Sequence, residues 1–207
     1  SYLAMLKVNK LVKNDMPELA ASILEELLKT TKNGEAIEEF KFQLAEAYME
    51  MYSGKMDVLY KAKELYQDVL NDFPKGEYAK ISKMIIDEIL MREGKIEPAV
   101  VNSKYSDSPS MQQKVLLQEI LNHIKKEEYD YILKSERVYK KISDTIFKRF
   151  GYENLDTLLD EVRLLIIKQY LVNSKCNELD KALAKSRKEA LAKVIEDSYL
   201  EYAYFEC

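Results

Sequence analysis

Four glycines, Gly34, Gly54, Gly76 and Gly94, fall 20, 22 and 18 residues apart, each in a gap between segments whose apolar residues recur every three or four positions. This spacing constrains the fold more than any other feature of the chain. Each interval holds one helix, and a glycine just past a helix end tolerates the left-handed backbone that stops it. The prolines agree with that division. Pro17, Pro98 and Pro109 each open a new apolar pattern, where a first-turn proline forfeits no helical hydrogen bond, while Pro74 follows a helix it cannot continue. With five glycines and four prolines in 207 residues, the chain is too poor in turn formers for a β-rich fold. At 47% hydrophobic residues it is also too apolar for disorder. The pattern predicts an all-α protein with helices near 2–14, 17–31, 35–52, 56–73, 76–93, 96–104, 109–126, 128–149, 155–173 and 177–205.

Within these helices the apolar positions form stripes, as in Ile37, Phe40, Leu44, Tyr48 and Met51, or Leu158, Val162, Leu165, Ile166 and Tyr170. Short links make consecutive helices antiparallel, and a hairpin of two cannot bury its stripe alone. Stacking successive hairpins buries it, so the expected architecture is an α-solenoid of stacked antiparallel helical hairpins, running as a single segment over 1–207.

The stretch from 35 to 76 carries more specific marks. Ala62 permits close approach of the second helix to the first, Tyr66 fills the gap one turn later, and Pro74 ends the unit. Leu44, Ala45 and Tyr48 occupy the matching face of the preceding helix. In these residues the segment resembles the tetratricopeptide-repeat family. Its spacing departs from the family pattern between Tyr48 and Ala62, which implies longer hairpins, and Lys41 stands where a bulky aromatic is common. The resemblance implies a right-handed superhelix that serves as a non-catalytic protein-binding platform.

Catalytic and cofactor signatures are missing from the sequence. One histidine, His123, and two cysteines offer no metal-ligand spacing, and no glycine-rich loop is available to cradle a phosphate. His123 flanks the stripe Leu116, Ile120, Ile124 and reads as a partly buried structural residue. Neither a metal nor a cofactor is expected. Lysine and arginine total 32 against 36 acidic residues, so no net positive field attracts nucleic acid. The longest apolar run, Tyr2 to Leu6, is far short of the ~20 residues a membrane-spanning helix needs, so no direct insertion into a membrane is expected.

The partner is therefore expected to be another protein. Among 15 tyrosines, most fall on packing stripes, but Phe42, Tyr52 and Tyr78 read as lying off the main stripe and are the candidate anchors. The chain opens in helical periodicity with no basic leader and reads as a segment of a longer repeat protein. Its C-terminal aromatics, including Tyr199 and Tyr202, then form an apolar end for stacking or self-association. The lysine-, glutamate- and tyrosine-rich hairpins look like the periplasmic tetratricopeptide accessory proteins of polar flagellar motors, the paralysed-flagella group. That likeness implies a periplasmic scaffold that helps position stator complexes in the flagellar motor. If 177–205 is a hairpin, a disulfide between Cys176 and Cys207 could close it and would fit that oxidising compartment, whereas a single helix there would hold the two sulfurs too far apart to bond. The alternatives are a cytoplasmic adaptor of the same repeat type, and the helical superhelix of a cell-envelope enzyme such as a lytic transglycosylase.

Overall fold

A computed structural model describes residues 2–13, 16–52, 56–173, 177, 178 and 181. The chain is all-α: eleven helices and no strand occur among the described residues. They are α1 (Tyr2–Lys13), α2 (Pro17–Thr30), α3 (Gly34–Glu50), α4 (Met56–Asp72), α5 (Ala79–Arg92), α6 (Pro98–Lys104), α7 (Pro109–Lys125), α8 (Tyr129–Lys134), α9 (Glu136–Tyr139), α10 (Asp144–Arg149) and α11 (Leu155–Val172). Pro17, Pro98 and Pro109 are each the first residue of a helix, as the sequence predicts.

The glycines act in three different ways. Gly94 follows α5 with φ of 72°, and its N–H donates to Met91 O while that of Lys95 donates to Leu90 O, the paired bonds of a left-handed helix stop. Gly34 instead begins α3, and Asn33 caps it by accepting from the N–H groups of Glu35 and Ala36 at 3.0 and 3.4 Å. Gly76 leaves room for the carboxylate of Glu38, which would have to move aside for a β-carbon there. The end of α7 has the same pair of bonds as α5, but its left-handed residue is Glu127, with φ of 59°. Glycine spacing alone therefore could not locate that stop.

Two predicted helices are corrected. The helix expected over 76–93 begins only at Ala79. The N–H of Tyr78 is taken by a Glu38 carboxylate oxygen at 2.9 Å, and residues 73–78 turn to bring it there. The helix expected over 128–149 is three short ones, α8, α9 and α10. Here three-residue turns interrupt the helical ladder: Ser135 bonds to Ile132, Val138 to Ser135, Ile142 to Tyr139 and Ile146 to Ser143. The Ser143 N–H also donates to the Gln113 side chain at 2.9 Å, a tertiary bond that apolar periodicity does not encode.

The chain groups into two compact units, where the sequence reads as one continuous segment: residues 1–112 with 149–151, and residues 113–148 with 152–207. In the first unit each helix from α1 to α6 packs chiefly on its neighbours in sequence. Helices α3 and α4 run in opposite directions, since Lys41 in the middle of α3 pairs with Asp68 and Asp72 near the end of α4, while Tyr48 late in α3 meets Lys61 early in α4.

Helix α3 has two buried stripes rather than one. Phe40, Leu44 and Ala47 pack with Met5 and Val8 of α1 and Ala20, Ala21 and Leu24 of α2. Phe42, Ala45 and Met49 pack with Leu59, Ala62, Tyr66 and Val69 of α4 and Ile85, Ile86 and Ile89 of α5. A helix covered on both sides explains the small residues Ala45 and Ala47, both fully buried, which let the neighbours approach. Ala62 is likewise fully buried. Ala62→Leu should therefore lose about 1–3 kcal/mol of stability by overpacking, read from the urea midpoint; an unchanged midpoint would show slack at this crossing.

In the second unit α11 packs on α8. Its buried stripe includes Leu158, Val162 and Ile166, joined by Leu159, Ile167 and Leu171. Asn154 caps α11 by accepting from the Thr157 N–H at 2.9 Å, and Arg163 pairs with Asp160 at 3.0 Å and more distantly with Glu136.

Candidate functional site on helices α3 to α5

Polar chemistry in the first unit converges on one buried cluster. Helix α3 contributes Glu46, α4 contributes Tyr66, and α5 contributes Glu88 and Arg92 one turn apart. Arg149, Phe150 and Gly151 complete it. Glu88 is fully buried and accepts from the Arg92 guanidinium at 2.5 Å and from Arg149 Nε at 2.9 Å. Arg149 also faces Glu46 at 3.8 Å, and Glu46 accepts the hydroxyl proton of Tyr66. Arg92 donates to the carbonyl of Arg149 at 3.1 Å and lays its guanidinium 3.6 Å from the centre of the Phe150 ring. Two carboxylates and two guanidiniums thus meet in a region where an uncompensated charge would be costly.

Burial and charge together set the ionisation there. Burial opposes the Arg149 cation, but Glu88 and Glu46 outweigh it and hold the guanidinium above its ordinary range. Burial lowers Arg92, which Glu88 only partly offsets. Burial and then the Glu46 charge push the Tyr66 hydroxyl well above the usual tyrosine value, so it remains a donor.

An acidic groove of about 580 Å³ lies at the start of α3 and the turn before α5, lined by Asn33, Glu35, Glu38, Glu39, Glu77 and Tyr78 among others. Glu38 is itself buried, with one oxygen committed to the Tyr78 N–H. The second unit has a cleft of about 490 Å³ whose lining includes Lys134, Glu136, Arg163, Ile166 and Tyr170. Outside that cleft's lining, the His123 ring lies 4.3 Å from that of Tyr131, and its Nδ1 is 2.5 Å from a Glu128 oxygen. Among the described residues, no helix is long and apolar enough to cross a membrane and no group of three or more His, Cys, Asp or Glu could hold a metal ion.

The proposed repeat residues come together. Ala45, Ala62 and Tyr66 are fully buried in the cluster between α3, α4 and α5, Leu44 is buried on the other face of α3, and Tyr48 packs against both. Pro74 is exposed in the turn after α4. The anchor candidates require correction: Phe42 does not lie off the packed surface. It is 6% exposed, stacks on Tyr78 with ring centres 4.5 Å apart, and sets its ring against that of Tyr66 at 5.7 Å. Tyr52 and Tyr78 are half-buried against the same core, because α3 uses a second face that a single-stripe reading leaves to solvent. Tyr199, Tyr202, Cys176 and Cys207, with most of 177–205, lie outside the described residues.

Sequence reasoning missed the buried charges. Glu88 and Arg92 are a visible i, i+4 pair, yet such pairs ordinarily sit on solvated faces, and no local pattern links them to Arg149. It also missed the bond from the Tyr48 hydroxyl to Glu25, at 2.5 Å. Burial, and then this carboxylate, raise the Tyr48 hydroxyl to about 12. The folded value exceeds the unfolded one, so this contribution is complete below pH ~10 and is lost as the pH rises through the folded value. Wild type should accordingly lose melting temperature relative to Tyr48→Phe between those limits, and parallel curves would disprove the linkage.

Comparison with models of known families, with curated proteins and with solved structures finds no match to this chain.

Proposed function

We propose that α1 to α5 are stacked antiparallel hairpins of a tetratricopeptide-like solenoid, and that the protein is a non-catalytic scaffold that holds another protein. What supports this reading is the burial of α3 on two faces by its own chain neighbours. A solenoid has that nearest-neighbour logic, in which each helical unit covers the apolar stripe of the next and leaves its remaining surface for a partner.

Exposed apolar side chains stand on four of these helices: Leu6 on α1, Leu19 on α2, Met56 and Tyr60 on α4 and Ile81 on α5. Photo-crosslinking residues placed at these and other exposed positions of α1 to α5, in the native host, test the reading. The expected result is one discrete protein adduct from positions that share a face. No adduct from any position across the scan overturns the proposal.

A further inference from the structure

Residues 149–151 belong with the first unit, while their chain neighbours 148 and 152 belong with the second. A three-residue tip is thus seated among helices more than fifty positions earlier in the sequence. Its contacts resemble those of a bound peptide. Arg149 gives its guanidinium to Glu88 and Glu46 and its carbonyl to Arg92, and the buried Phe150 ring takes the face of the Arg92 guanidinium. Gly151, with φ of 86°, turns the chain away immediately afterwards.

Without the tip, Glu46 and Glu88 would both lose the Arg149 guanidinium. Arg92 supplies a flat guanidinium for an aromatic ring, and Tyr52 lies 5.5 Å from the same group. Among the described residues the buried Nε of Arg92 has no hydrogen-bond partner, so the tip does not exhaust the donors of its own seat. A buried ion pair disfavours any side chain that leaves one of its charges uncompensated, a selectivity that an apolar plug lacks.

We propose that Arg149–Phe150 is an intramolecular ligand, and that its seat on α3 to α5, formed by Glu46, Glu88, Arg92 and Tyr52, is a recognition site for an arginine–aromatic peptide segment of a partner protein. This rests on the scaffold reading and names the chemistry of its partner. Binding in trans competes with the tip, so the apparent affinity of the resting chain is reduced by the fraction in which the tip is seated.

The test uses the full chain with Arg149→Gln and Phe150→Ser together, and a fluorescent synthetic peptide of residues 146–154, IFKRFGYEN. Polarisation should show saturable binding to this variant, at least about ten-fold tighter than to wild type, whose own tip competes. Binding should be lost when the peptide arginine is replaced by glutamine or its second phenylalanine by alanine, and when Glu88→Gln is added to the protein. Equal binding to both chains, or none to a variant whose circular dichroism matches wild type, overturns the proposal. If the double variant does not fold, hydrogen exchange on wild type with excess peptide decides: the amides of 149–151 must lose protection, and unchanged exchange overturns the proposal. A chain that yields a crosslinked partner in cells but fails these assays keeps the scaffold reading and loses this one.

Discussion

Tyr66→Ala should lower the unfolding free energy by about 3–5 kcal/mol, the largest effect expected from any single truncation in the first unit. The ring has no solvent exposure and lies in the cluster that joins α3, α4 and α5, with its face or edge set against Phe42. Alanine would leave a cavity at the point where three helices meet, and rigid neighbours can fill it only in part. The hydroxyl adds a smaller share. Tyr66→Phe keeps the ring and removes the bond to Glu46, whose side chain is 32% exposed and can turn to water, so about 1 kcal/mol is expected. Urea denaturation followed by circular dichroism separates the two variants. A loss below about 1 kcal/mol for alanine would mean that the α3–α4 crossing is supported elsewhere.

Glu88→Ala should be nearly as damaging, at about 3–5 kcal/mol, for an electrostatic reason. Glu88 is fully buried and lies between two guanidiniums whose side chains are 5% and 12% exposed. Removing it leaves Arg92 and Arg149 as like charges out of water, with Glu46 3.8 Å from Arg149. Glu88→Gln retains the shape and an acceptor oxygen but loses the charge, and should fall between alanine and wild type. Added salt should rescue neither variant, because buried pairs are poorly screened. A mild, salt-sensitive loss in the alanine variant would instead place this carboxylate in contact with solvent.

Much of the helical plan was legible locally. First-turn prolines at 17, 98 and 109 and the apolar period of three to four determined where most helices begin and which class of fold results, because those signals act within a turn or two of the backbone. Ala62 and Tyr66 were legible as a packing pair for a related reason: a small residue and a ring one turn apart share a helix face. The breaks between α8, α9 and α10 were not legible, since a bond from Ser143 to Gln113 joins residues thirty apart. Nor was the left-handed Glu127, which occupies a position where sequence leads one to look for glycine.

The sequence by itself determined an all-α chain whose helices carry apolar faces. Only the tertiary structure decided that α3 is covered on two sides, turning Phe42 from a candidate anchor into core. It likewise decided that Glu46, Glu88, Arg92 and Arg149 meet. A charged residue in a helix has the same local pattern whether its face meets water or another helix, so its burial is set by what the fold brings against it.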